Sequence, residues 1–290
     1  PPWIDTYRDL PIPILEMDAQ DTTGSTINIS GSSALYLLST QISKCFNETK
    51  KFGTIQINSK DTNFGLFDYC QGDVIMANES EDVTQENMEK YGCKGVDFLK
   101  FEVARYAVAL FISENNPYAN DIREDPLNRV ELKKLLISAT LWNEVRDSWG
   151  NEPINRYYPS RESGPFEIVK NELFSDWKVD STVPLPFVIE DDLIIPSKVI
   201  DDIFAVGFSG YTDYQKNKAS LRVIPIDNIS PNLDTVNGDN PSYPLTRPLY
   251  LYTGEANYNT NPLLRNFIDY YLAYQFDFID DLGYIYPSKT

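Results

Sequence analysis

The sequence predicts an α/β fold with a largely parallel sheet. Runs of alternating apolar residues, such as "TINIS" (26–30) and "GTIQINS" (53–59), interleave with helical apolar spacing, as in "ALYLLSTQISKCF" (34–46). The alternation persists along the chain, as it does where crossover helices join strands. The composition agrees: 290 residues, 42% apolar, 23% charged and 13% aromatic, provide a core for one large domain or two ordinary ones.

The elements follow in order. Residues 1–24, rich in proline and polar side chains, read as an N-terminal extension. "TINIS" is a strand, "GSS" (31–33) a tight turn and 34–46 a helix; "GTIQINS" is the second strand. "NFGLFDYCQG" (63–72) is a short helix closed by glycine, "DVIMA" (73–77) a short strand, and "VTQENMEKYG" (83–92) a helix again closed by glycine. "VDFLKFEVARYAVALFIS" (96–113) is β-rich and too long for one ordinary strand, so it reads as two. "NRVELKKLLIS" (128–138) is an amphipathic helix, "PINRYY" (153–158) a strand and "GPFEIVKNELF" (164–174) a helix. "DIFAVGFSGY" (202–211) ends a strand in a glycine-rich turn, and "SLRVIPI" (220–226) is a strand. "TRPLYLYT" (246–253) is strand-like, with a proline suited to an edge or an entry. The C-terminal region, from "PLLRNF", gives a long helix, a short helical piece and an extended tail. The sequence contains no internal repeat and no low-complexity tract.

Charge and residue usage exclude whole classes of function. A net charge of −18 argues against nucleic acid or an anionic membrane surface, because both require a basic footprint. A small anion stays possible, since distant surface charge is screened within about 10 Å. The absence of histidine removes Ser-His-Asp and Cys-His catalysis and the usual zinc sets. Three scattered cysteines form no zinc motif. By spacing alone, a Cys70–Cys93 pair with Cys45 free and three buried thiols are equally good readings. No run of about 18 apolar residues marks a membrane span. The chain begins "PPWIDTYRDL", without initiator methionine or leader, which fits a removed signal sequence and carries no information on secretion.

Two stretches share one design, a strand followed by a Ser/Gly turn and a helix: "NISGSSALY" (28–36) and "YPSRESGPFE" (158–167). A helix N-terminus presents unpaired N–H groups and partial positive charge, and serine hydroxyls beside it can wrap an oxyanion. Ordinary capping explains either turn alone. The pair, with Arg161 adding fork geometry, points to an anion site. "MANESED" (76–82) is most simply a solvated acidic loop; functionally, one of its carboxylates could accept a hydrogen bond from a protonated oxyanion and repel sulfate. The tyrosine-rich "NFIDYYLAYQFDF" (266–278) reads as packing, "RVELKK" (129–134) as a solvated helix face and "IEDDLI" (189–194) as surface. Sequons at Asn28, Asn47, Asn78 and Asn228 would accept glycans only in a eukaryotic secretory route, which is not expected.

Ten stretches, taken in order, resemble the phosphate-binding proteins of bacterial ABC phosphate transporters, within the type-2 periplasmic-binding-protein superfamily. They run from "ISGSSALYLL" (29–38), "FDYCQGDVIMANES" (67–80) and "EVARYAVALFISENNP" (102–117) through "LKKLLISATLWNEV" (132–145) and "SRESGPFEIV" (160–169). They continue through "AVGFSGYTDY" (205–214), "LRVIPID" (221–227), "YPLTRPLYLYT" (243–253) and "FIDYYLAYQ" (267–275) to "LGYIYP" (282–287). The resemblance implies two lobes with mixed, mostly parallel sheets and hinge-crossing strands: 25–104 plus 247–290 as lobe 1, and 105–246 as lobe 2. It implies a Cys70–Cys93 disulfide and one inorganic phosphate closed between the lobes. It also implies no catalysis, no cofactor and no metal, a monomer, and an ABC permease as partner. Family members are exported, often as lipoproteins, so the resemblance places the chain in the periplasm or at the cell surface, with a lipid anchor before processing as an option.

Carried over residue by residue, the ligand set is Ser32, Ser33, Ala34, Leu35, Thr62, Ser80, Glu81, Arg161, Ser163 and Gly164, with the loop contact falling at Thr62 or Asn63. The chain departs from the family pattern at two donors. Ala34 stands where the family has a threonine after Gly-Ser-Ser, and Pro165 where it has the threonine of Ser-Gly-Thr. Each lost hydrogen bond to a charged group costs roughly 1.5–3 kcal/mol, so the losses imply a weaker site, micromolar or beyond. Glu81 and Arg161 are expected as an acid–base pair across the cleft. Two alternatives remain: the same scaffold serving another oxyanion, a phosphorylated small molecule, sensing or adhesion; and an extracytoplasmic hydrolase, for which no carboxylate pair stands out.

Overall fold

A computed structural model describes residues 22–49, 52–60, 64–93, 97–161, 163–174, 187–189, 192–237 and 241–287. The chain runs β1 (Thr26–Ser32), α1 (Ser33–Glu48), β2 (Thr54–Lys60), α2 (Phe64–Gln71), β3 (Met76–Glu79), α3 (Gln85–Lys90) and β4 (Phe98–Ser113). It continues with α4 (Ala119–Glu124), α5 (Arg129–Lys133), a π-helical turn (Lys134–Ser138), α6 (Trp142–Val145), β5 (Asn155–Pro159), α7 (Gly164–Leu173) and β6 (Phe187–Ile189). Then come α8 (Ile195–Asp201), β7 (Ala205–Gly210), α9 (Tyr211–Asn217), β8 (Leu221–Val223), α10 (Leu233–Val236), β9 (Thr246–Gly254), α11 (Glu255–Thr260) and α12 (Pro262–Tyr274). Apart from residues 22–24, the expected N-terminal extension lies outside the described residues.

The chain divides into two compact units: Pro1–Val103 with Tyr250–Leu282, and Ala104–Leu249 with Gly283–Thr290. β4 and β9 each begin in one unit and end in the other, and the C-terminal tail makes a third passage. The fold is therefore the two-lobed mixed α/β type. The parallel expectation needs qualifying: β1 pairs in parallel with β2 and β3, whereas β9 runs antiparallel to β3. In the second unit β5 is parallel to β6 and β7, while β4 is antiparallel to β7 and β8.

In the first unit, side-chain alternation divides the layers. On one face of the sheet, α1 buries Leu35, Leu38, Ile42 and Phe46, and Phe46 meets Phe267 of α12 edge to face at 5.4 Å. On the other, Leu66 of α2 joins Ala77, Tyr250 and Tyr252 with Val83, Met88 and Cys93. A disulfide joins Cys70 at the end of α2 to Cys93, and Cys45 is a free thiol. The core of the second unit gathers Trp142, Tyr158, Phe166, Phe208 and the buried half of β4.

Three elements differ from their sequence-based expectation. Residues 98–113 form one unbroken strand of 16 residues, because a strand that passes from one unit into the next needs twice the usual length. The helix expected over 128–138 turns π-helical at Lys134. Buried Arg156 explains why: its guanidinium donates to the carbonyls of Lys134 (3.3 Å), Leu135 (2.9 Å) and Ala139, and the Tyr158 hydroxyl donates to Leu136 O at 2.6 Å. Gly31 and Ser32 belong to β1 and not to a turn.

Candidate functional site

The first half of the expected site lies in the first unit, where β1 gives way directly to α1. Ser32, fully buried, is the N-cap, and its Oγ accepts from Ala34 N–H at 3.3 Å. The Ser32 O–H proton stays available to donate. Ser33 Oγ is shielded from solvent and pairs with no described group, as is Ser30 Oγ one strand residue below Gly31. Ala34 and Leu35 are buried in the first turn.

Parallel pairing sets Gly31 beside Asn78, so Ser32 and Glu79 lie one residue further along their strands, and Ser33 and Ser80 two. The approach requires glycine: Gly31 has φ +142°, and a Cβ there would overlap the carbonyl oxygen of Asn78. α2 closes in with equal tightness, since a Cβ on Gly65 would come within 2.7 Å of Gly31 Cα. The loop after β3 carries Ser80, which is buried, and Glu81, which is exposed. Its far end is pinned where Val83 N–H donates to Tyr252 Oη (3.0 Å) and Lys100 pairs with Asp82 (2.9 Å). Burial holds the Tyr252 phenol well above its ordinary pKa, so it remains a neutral hydrogen-bonding post.

The solvated acidic loop expected at 76–82 holds for Glu81 and Asp82 but not for Glu79. Glu79 is fully buried, and its Oε1 accepts from Leu66 N–H at 2.9 Å, anchoring the first turn of α2. Reading the strand as 73–77, three residues early, left Glu79 outside it. All four residues of the true strand, 76–79, are buried, so a carboxylate at its tip is buried too. Thr62 and Asn63 lie outside the described residues.

The second half of the expected site lies in the second unit, where β5 gives way to α7. Ser163 caps the ten-residue α7, its Oγ accepting from Phe166 N–H at 3.3 Å, while its own N–H turns back to Ser160 O at 3.0 Å. Gly164 is the first helical residue and Pro165 the second, a position where the missing N–H costs the helix nothing. Arg161 is half-buried within the turn. The structure thus gathers Ser32, Ser33, Ala34, Leu35, Ser80 and Glu81 in one unit and Arg161, Ser163 and Gly164 in the other. Both halves place hydroxyls and main-chain N–H groups at the start of a helix, the donor set that suits an oxyanion. Among the described residues no group of three or more His, Cys, Asp or Glu could hold a metal ion, and no helix is long and apolar enough to cross a membrane.

Comparison with known proteins covers most of the chain. Residues 17–274 match a family model described as the PBP superfamily domain. Protein SphX of Synechocystis sp. is 28% identical over 268 residues, 91% of this chain and 79% of that protein. Phosphate-binding protein PstS of Staphylococcus epidermidis is 24% identical over 281 residues, 94% of this chain and 82% of that protein. The crystal structure of a possible phosphate binding protein from Planctomyces limnophilus superposes with a TM-score of 0.78 at 22% identity, covering 91% of this chain and 93% of that one.

Proposed function

This chain belongs to the PBP superfamily, and from that premise we propose that it is an extracytoplasmic receptor that captures inorganic phosphate and delivers it to an ABC permease. The observation that carries the reading is the start of α1: a 16-residue helix opening at a buried strand end, with Ser32 as cap and the Ser33 hydroxyl shielded and without a partner among the described residues. An oxyanion satisfies both hydroxyls and the positive helix end together. The kinship with a phosphate-binding PstS supports phosphate as that oxyanion.

Each residue then has a role. Ser32, Ser33 and the first-turn N–H group at Leu35 donate from the first unit, with Ser80 as a further hydroxyl, while the Ala34 N–H is held by the Ser32 cap. Ser163 and Gly164 donate from the second, and Arg161 supplies the fixed cation. Glu81, exposed after β3, is assigned the protonated phosphate oxygen, since a carboxylate accepts from HPO₄²⁻ or H₂PO₄⁻ and repels SO₄²⁻, while Glu79 stays with α2. The receptor acts as a monomer in the periplasm or at the cell surface, and it needs no cofactor and catalyses nothing.

Thermal unfolding tests the reading. Protein unfolded, dialysed and refolded is expected to melt higher in about 1 mM phosphate, since a site with Kd of about 1 µM adds roughly 4 kcal/mol there. Sulfate is expected to leave the melt unchanged. An equal rise with both anions, or with neither, rejects phosphate as the selected ligand.

A further inference from the structure

β3 ends in two buried polar residues that point to opposite faces of the sheet. Glu79 anchors α2 through Leu66 N–H. Asn78 reaches the other way: its Nδ2 donates to Ser39 Oγ on α1 at 3.1 Å, and Ser39 Oγ shares a hydrogen bond of 3.0 Å with Tyr271 Oη on α12. Ser39 and Tyr271 are fully buried, and Asn78 is 1% exposed. A polar chain that crosses an apolar layer costs more than it returns if its only task is packing, because apolar residues of the same volume would fill the space without desolvation. Its place in the fold gives it another task. Asn78 is the register partner of Gly31, the residue before the Ser32 cap. Ser39 lies two turns into the helix whose N-terminus forms the cradle. The chain therefore fixes how far and at what angle α1 stands over the tip of β3.

We propose that Asn78, acting through Ser39 and Tyr271, is a positioning residue for the anion cradle at the start of α1. The inference rests on the phosphate reading of that cradle and adds how its geometry is held. Asn78 Oδ1 finds no donor among the described residues, and the Nδ2 bond to Ser39 ties the side chain to α1. Removing the Ser39 hydroxyl releases that handle without touching Ser32 or Ser33. A loosened cradle lets the anion leave sooner and leaves diffusional encounter unchanged, so the effect belongs in koff.

The test is phosphate binding by the refolded full chain, followed by calorimetry and stopped-flow fluorescence, with circular dichroism as the fold control. Ser39→Ala is expected to raise koff and Kd about tenfold at unchanged kon, the loss of about one hydrogen bond's worth of positioning. Ser39→Thr, which keeps the hydroxyl, is expected to stay within about threefold of the parent. In an Asn78→Leu background, Ser39→Ala is expected to add less than about twofold, because the two act as one unit. A Ser39→Ala protein that binds like the parent overturns the inference, as does an effect that adds in full to Asn78→Leu or a Ser39→Thr protein as weak as Ser39→Ala. Should Asn78→Leu not fold, the Ser39→Ala and Ser39→Thr pair decides alone. A parent that binds no phosphate rejects the underlying reading and this inference with it, whereas a binding parent with an unaffected Ser39→Ala rejects this inference only.

Discussion

Ala34 is the residue at which this cradle is poorest. The family pattern has a threonine hydroxyl there, and here a methyl group occupies a buried position in the first turn of α1, directly after Ser32 and Ser33. Because Ser32 Oγ already caps Ala34 N–H, a hydroxyl at position 34 is not needed for the helix and can serve the ligand. Ala34→Thr is expected to tighten phosphate binding about tenfold or more, the worth of one hydrogen bond to a charged group, with the melting temperature of the ligand-free protein nearly unchanged. Calorimetric Kd values for parent and variant check it. Pro165 poses the same question in the second unit, but a proline that fixes the second residue of α7 also shapes the helix start, so a substitution there would mix two effects.

At the scale of elements, the starts of the longer helices are legible in the sequence. Asn128 caps α5, at the start expected for "NRVELKKLLIS", and Glu131 closes a capping box there. The solvated face expected for "RVELKK" is only partly so. Glu131 accepts from Arg146 Nε at 2.7 Å and Nη2 at 3.2 Å, and the guanidinium lies over Trp149. The Arg146 hydrogen bond, outweighing partial burial and aided by Asn128 N–H, holds the Glu131 carboxyl below the usual carboxylate range. Arg129 does the same for Asp227. A carboxyl whose pKa is lower folded than unfolded gives its full stabilisation above the unfolded value, and loses it as pH falls through the folded one. The urea midpoint is thus expected to drop as pH falls below about 5, and Glu131→Gln is expected to flatten part of that slope while Asp227 keeps the rest. A slope unchanged by the substitution would contradict the assignment.

What the sequence hid is explained by contacts between distant residues. The apolar pattern of "DVIMA" places β3 three residues early, while the paired residues, Met76–Glu79, include Asn78 and Glu79, whose burial depends on α1 and α2. The π-helical turn depends on Arg156, 17 residues beyond Ala139 in sequence. Short helices such as α6, α8, α9, α10 and α11 leave no mark in the sequence, since four to seven residues carry too little periodicity.

For the whole molecule, the chain passes three times between two units, and each unit carries a strand-to-helix turn with a serine cap at the helix start. A sequence with no histidine and a net charge of −18 is expected to hold an anion there, because the proposed donors are main-chain dipoles, hydroxyls and Arg161, whose short-range effect outweighs screened surface charge. The most direct measurement of that claim is isothermal titration calorimetry on protein unfolded in denaturant, dialysed free of ligand and refolded, with phosphate and then sulfate injected. Saturable binding of one phosphate per chain at micromolar or tighter Kd, with sulfate silent, is the predicted result. No heat from phosphate in protein shown to be refolded, or sulfate binding as well as phosphate, would contradict it.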